Sequence, residues 1–156
     1  AGAADMANGS VRATLWSPTR GIFTFFFNRS RVSEAYDVNN AGLVVGSGLV
    51  GRNTRAFTAD TVGLVFRALP GRRGARVTVA HAVNNSGQIV GWSGGVGAPV
   101  QRAVMWVNRR VVDLNTRLPR SSGWVLLRAL DINEEGQIVG EGRFNGQIRP
   151  FLLTPQ

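Results

Sequence analysis

Few residues in this chain have side chains suited to catalysis. His81 is the only histidine and there is no cysteine, so disulfides and thiolate metal sites are excluded. His81 stands between Ala80 and Ala82 in a strand-like stretch, where an imidazole serves packing rather than catalysis. No Ser lies in a Gly-x-Ser-x-Gly elbow. Among nine acidic residues, only Asp37 and Asp131 recur, each two places before a turn Asn. A carboxylate there is expected to bond turn backbone rather than to act as acid or base. Asp131, Glu134, Glu135 and Glu141 are of the type that binds hard cations, but they lack a recognised ligand spacing. Gly91-Trp-Ser-Gly-Gly-Val-Gly97 lacks the Lys-Ser/Thr of a phosphate loop and precedes no helix. The expectation is therefore no catalytic residue, no cofactor and no metal.

Binding has better candidates. Arg12, Arg55, Arg102 and Arg149 recur in Arg12-Ala-Thr-Leu-Trp16, Arg55-Ala-Phe-Thr-Ala59, Arg102-Ala-Val-Met-Trp106 and Arg149-Pro-Phe-Leu-Leu153. If they face a shared groove, they form an arc for carboxylate, sulfate or phosphate, which guanidinium engages bidentately. The competing reading is local stacking or cross-strand pairing. Trp92, Trp106 and Trp124 could stack on sugars or bases, or could pack in the core. Trp92 follows a glycine bend and is the best exposed-aromatic candidate.

These residues are positioned by a stretch that occurs three times. It reads Ala35-Tyr-Asp-Val-Asn-Asn-Ala-Gly-Leu-Val-Val-Gly46, Ala80-His-Ala-Val-Asn-Asn-Ser-Gly-Gln-Ile-Val-Gly91 and Ala129-Leu-Asp-Ile-Asn-Glu-Glu-Gly-Gln-Ile-Val-Gly140. Asn39, Asn84 and Asn133 can fold their side chains onto local backbone as Asx turns. Gly42, Gly87 and Gly136 sit where a short hairpin needs the left-handed region. The apolar residues that follow have strand character. Gly46, Gly91 and Gly140 suggest a bulge or a close backbone approach. The hairpin glycines recur at spacings of 45 and 49 residues, a period that matches propeller blades.

Each repeat reads as four short strands. The fourth is Gly21–Phe27, Gly63–Leu69 or Arg110–Leu114, and almost no helix is expected. The repeat units are approximately 1–34, 35–79, 80–128 and 129–156, within a single domain 1–156. Ala1-Gly2 falls where Val45-Gly46 falls, so the chain opens just after a second-strand motif and stops after a third strand. Either terminal strands complete a blade, within or between chains, or the chain is a piece of a longer protein. In Ile22-Phe23-Thr24-Phe25-Phe26-Phe27, alternation puts Phe23, Phe25 and Phe27 on one face and Phe26 on the other. Both faces then require burial, which points to an oligomer or further sequence.

Composition supports a folded domain. The 156 residues are 44% apolar and include 20 glycines, enough for one core with many tight turns. No apolar run is long enough for a transmembrane helix. The net charge is +9 and all 18 basic residues are arginine. This fits an acidic-polymer partner, or a coding bias towards Arg with charge serving solubility.

The pattern Ala-x-x-Ile/Val-Asn-x-x-Gly-x-Ile/Val-Val-Gly, followed by x-Ala-Phe-Leu-Trp, resembles the HAF family of bacterial extracellular repeats. Asn39, Gly42 and Gly46 match it, as do their counterparts. Arg12, Arg55, Arg102 and Arg149 replace the family's His; Phe is kept at Phe57 and Phe151, and Trp at Trp16 and Trp106. The resemblance implies an extracellular or cell-surface location and a propeller-like all-β fold. It carries over no reaction and no catalytic residue.

The fold expected is therefore all-β, with β-propeller-type repeats, roughly three and a half blades, and a ring completed by oligomerisation or further sequence. A β-trefoil is the alternative. The function expected is a non-catalytic extracellular module that binds a glycan or a protein. The alternatives are a polyanion-binding protein using the arginines and a hydrolase with a loop carboxylate. A homo-oligomer is expected, membrane insertion is not, and nucleic acid is a lesser partner than a glycan or acidic polymer.

Overall fold

The fold was obtained as a computed structural model, which describes residues 1–19, 21–24, 30–61, 65–95 and 101–155. It is all-β and its sheets are antiparallel apart from single parallel bridges. The strands are β1 (Gly2–Asp5), β2 (Val11–Ser17), β3 (Gly21–Thr24), β4 (Ser33–Val38), β5 (Leu43–Val50), β6 (Asn53–Asp60) and β7 (Phe66–Ala68). They continue as β8 (Val77–Val83), β9 (Ile89–Gly94), β10 (Arg102–Val107), β11 (Arg110–Asp113), β12 (Trp124–Ile132), β13 (Ile138–Phe144) and β14 (Gln147–Leu153). Among the described residues the only helix is a 3₁₀ turn, Leu114–Arg117. Asp113 caps it by accepting the Asn115 N–H, so Leu114 starts this turn instead of ending a strand.

Strands β1, β2 and β3 form one sheet, and β12, β13 and β14 another. Between them lie two four-stranded meanders, β4 to β7 and β8 to β11, joined by one parallel bridge, Thr54 to Val77. A similar bridge, Val11 to Val32, leads from the first sheet towards β4. No sheet closes on itself among the described residues. Phe25, Phe26 and Phe27 lie outside the described residues, as do Gly63 and Leu64.

The corners form as their residues require. Gly42, Gly87 and Gly136 have φ of 77°, 74° and 75°, a region that glycine adopts without steric cost. Asn39 Oδ1 accepts the N–H of Ala41 and of Leu43. Asn84 and Asn133 accept the N–H of Gln88 and Gln137 in the same way. Each hairpin then carries a bulge opposite its closing glycine. The register slips between Ala35 and Asp37, between Ala80 and Ala82, and between Ala129 and Asp131. The extra residues are Tyr36, His81 and Leu130. A methyl group on Gly46, Gly91 or Gly140 would strike the carbonyl oxygen of Glu34, Val79 or Arg128. Phe57 and Phe151 lie over Gly46 and Gly140, covering backbone that has no side chain of its own.

Three cores fill the spaces between successive strand groups. Ala13 meets Ala35, Val44, Phe57 and Ala59. Val45, Ala56 and Leu69 meet Ala80, Val83, Ile89, Val104 and Trp106. Ala82, Val90 and Ala103 meet Leu126, Ala129, Ile132, Ile138 and Phe151. Neighbouring residues such as Val44 and Val45 thus serve different cores, so the middle meanders are buried on both faces, as their apolar runs require.

Gly91→Ala tests the close approach, because the obstacle is backbone and cannot swing aside. The expected cost is about 1–3 kcal/mol, read as a lower urea midpoint at unchanged slope.

Candidate functional site

The three corners sit side by side and are tied together in one direction. Asn39 Nδ2 donates to the Asn84 carbonyl at 3.0 Å, and Asn84 Nδ2 donates to the Asn133 carbonyl at 3.1 Å. The next residue repeats the relay: the Asn40 N–H reaches Asn85 Oδ1 and the Asn85 N–H reaches the Glu134 carboxylate. Asp37 adds a third link. Its Oδ1 accepts the Val38 N–H and its Oδ2 accepts the Val83 N–H, both at 2.8 Å. Asp131 accepts the Ile132 N–H. Both recurrent carboxylates are therefore engaged with backbone. Asp131, Glu134, Glu135 and Glu141 do not converge: among the described residues no cluster of three or more acidic or His side chains is of metal-binding geometry. Glu134 takes the Asn85 amides, and Glu141 pairs with Arg128 at 3.3 Å.

Stacking the corners brings the bulge residues into a row. The rings of Tyr36 and His81 lie 5.3 Å apart at 51°. Tyr36 Oη donates to Glu34 at 2.7 Å, and burial raises its pKa. Burial lowers the pKa of His81, and the Arg128 charge adds to the effect. The Arg128 guanidinium lies 5.6 Å from the centre of the Trp92 ring, a cation–π contact. Tyr36 and Arg128 are exposed, and His81 and Trp92 are half-buried. The result is a strip of Glu34, Tyr36, His81, Arg128, Trp92 and Glu141 that combines aromatic rings with charged hydrogen-bonding groups.

The arginines predicted from sequence lie at equivalent register positions, opposite Ala4, Gly48, Ser93 and Gly142. Their surroundings differ. Arg12 is buried, Arg55 and Arg102 are half-buried and Arg149 is exposed. Arg55 Nη1 donates to the Ala75 carbonyl and Arg149 bonds Gln147. No hydrogen bond among the described residues links one of the four to another. Arg55 also lines an open cleft with Phe66, Leu69, Arg72 and Arg109, in which Arg72 is paired with Asp113 at 3.0 Å. Trp106 is 1% exposed and its Nε1 donates to the Pro70 carbonyl at 2.7 Å. It is an anchor between two meanders, with no ring face open to a ligand. Trp124 packs against Phe144 and Phe151. Only Trp92 of the predicted residues joins the strip.

No protein-family model matches the chain, and neither does any curated protein.

Sequence reasoning missed Glu34, Tyr36 and Arg128. The one signal was that position 36 varies, to His81 and Leu130, inside a motif that otherwise repeats closely.

Two measurements check this geometry. Asn84 is fully buried and its side chain serves three partners, Gln88 backbone, Gln88 side chain and Asn133. Asn84→Ala should cost about 1–3 kcal/mol, whereas Asn133→Ala, whose side chain serves only its own hairpin, should cost less. For His81, the folded chain binds a proton less readily than the unfolded one, whose value is 6.5. The stability that depends on neutral His81 is complete above about pH 6.5 and is lost as pH falls below it. The thermal midpoint should fall between pH 7.5 and 5.5, and His81→Gln should flatten that fall.

Proposed function

We propose that the chain is a non-catalytic extracellular binding module built from propeller-type repeats, and that its ligand is a glycan held along the Tyr36–His81–Arg128–Trp92 strip. The observation that carries the reading is the strip itself. It gathers three aromatic rings, Tyr36, His81 and Trp92, with carboxylate and guanidinium groups beside them, the mix of stacking and hydrogen-bonding groups that sugars engage. The engagement of Asp37 and Asp131 with backbone favours binding over hydrolysis. The resemblance to HAF repeats supports an extracellular or cell-surface setting and a propeller-like arrangement rather than a trefoil, as do sheets buried on both faces.

A glycan array followed by titration of the best ligand tests this. Trp92→Ala and Tyr36→Ala should each weaken binding about tenfold, roughly 1.4 kcal/mol, in chains that remain folded at the temperature of the titration. Unaltered affinity in both variants would overturn the placement. The polyanion alternative has its own observation, the cleft of Arg55, Arg72 and Arg109. Binding there should collapse between low and high salt and weaken in Arg109→Ala, whereas stacking on the strip should change little.

A homo-oligomer is supported by a second, independent observation. Val45 and Val90 are 0% exposed because the following strand group covers them, while Val139, at the same motif position, is 45% exposed beside Leu152. At the other end Trp16 is 65% exposed and pairs with Ile22, whereas Trp106, at the same motif position, is covered. The chain thus contains its own example of the contact: Trp106 and Val111 packed against Val45, Ala56 and Leu69. Trp16 and Ile22 of one copy would cover Val139 and Leu152 of another, a head-to-tail contact that extends or closes into a ring. Burying one such side chain stabilises by about 1.5–3 kcal/mol. Solution mass should rise with concentration, and Leu152→Arg should hold it at the monomer value. A monomer at every concentration would overturn this association.

A further inference from the structure

Four glycines close equivalent strand pairs: Gly2 opposite Thr14, Gly46 opposite Phe57, Gly91 opposite Val104 and Gly140 opposite Phe151. At three of them an added methyl group would meet a carbonyl of the strand on the other side: β4 for Gly46, β8 for Gly91 and β12 for Gly140. At Gly2 nothing lies within 4 Å of that position. The far edge of β1 is open, since β1 pairs with β2 alone among the described residues. An open edge of this kind is a template for another strand.

The first sheet is placed against the β4–β7 meander much as that meander is placed against the β8–β11 meander. The Ala13 N–H donates to Ser33 Oγ, as the Ala56 N–H donates to Thr78 Oγ1. The bridge from Val11 to Val32 matches the bridge from Thr54 to Val77. A strand added to β1 would therefore lie beside β4 as β4 lies beside β8, and its corner would reach Asn39 and Asn40.

That corner is ready to receive it. The relay runs from each corner to the next, and a receiving corner supplies a backbone carbonyl and a side-chain oxygen. Asn84 and Asn85 receive from Asn39 and Asn40, and Asn133 and Glu134 receive from Asn84 and Asn85. Among the described residues Asn40 Oδ1 accepts no hydrogen bond, and the Asn39 carbonyl accepts only the Gly42 N–H of its own turn.

We propose that the β1 edge and the Asn39–Asn40 corner form one strand-accepting site. Its ligand is an extended polypeptide segment of the pattern Ala-x-Asp-Ile/Val-Asn-x-x-Gly. The segment pairs antiparallel with β1. Its Asn amide donates to the Asn39 carbonyl, and the N–H of the following residue donates to Asn40 Oδ1. Main-chain pairing supplies affinity, and the corner supplies register and sequence preference. The site adjoins the Tyr36 end of the strip but makes no use of Arg128 or Trp92.

The test is a synthetic peptide copying residues 124–136, the sequence of β12 and its corner, added to the whole chain and followed by calorimetry and amide NMR. Saturable binding is expected, with shifts at β1 and at residues 39–40. An Asn→Ala change in the peptide at the place of Asn133 should weaken it about fivefold, one ordinary hydrogen bond. Gly2→Val should abolish binding at an unchanged thermal midpoint, because its side chain meets open space in the free chain and a carbonyl in the complex. Asn40→Ala should weaken binding independently of that steric block. Absence of binding at millimolar peptide, equal binding of a scrambled peptide, or full binding by both Gly2→Val and Asn40→Ala would overturn the proposal. Trp92→Ala, on β9 and away from β1 and residues 39–40, should leave peptide binding intact, which separates failure here from failure of the glycan reading.

Discussion

The structure depends on a close approach that only glycine permits. At Gly46, Gly91 and Gly140 a backbone carbonyl of the preceding strand occupies the space a side chain would need. Each approach pairs with a bulge, and together they fix where the hairpin bends. A bend repeated at the same register sets the three corners in the same orientation, close enough for one to bond the next. The asparagine relay is thus a consequence of the glycine contact. It also gives the Asn39 and Asn84 side-chain amides a partner beyond their own turns.

The relay and the cores act on different parts of the same units. Hydrogen bonds align the corners, while Phe57, Trp106 and Phe151 fill the spaces between strand groups. Trp106 belongs to both kinds of contact. Its ring packs between two meanders and its N–H ties down the Pro70 carbonyl in the loop ahead of β8. Its partner means that the buried indole N–H is not left unmet in the core.

Much of this was legible in the sequence. The Asn-x-x-Gly spacing gave the hairpins, the left-handed glycines and the carboxylates that bond backbone, because these depend on a few adjacent residues. The position of Gly2 at the register of Gly46 was legible for the same reason. What was not legible depends on neighbours distant in the chain. Arg12 and Arg149 share a motif, yet one is buried and the other exposed, because they meet different strand groups. Trp106 and Trp92 both looked able to stack on a ligand. Pleat direction against the adjoining sheet decided which one was enclosed. Tyr36 and His81 are 45 residues apart, and only the stacking of two bulges makes them neighbours.

The bulge separates what the hairpin needs from what its surface offers. Residues 36, 81 and 130 are the extra residues outside the paired register, so no residue of the facing strand is set opposite them, although the Tyr36 hydroxyl lies 3.3 Å from Ser47 Oγ on that strand. One is a phenol, one an imidazole and one an aliphatic chain, on the same scaffold. The row therefore changes its chemistry from one hairpin to the next while the frame beneath it stays the same.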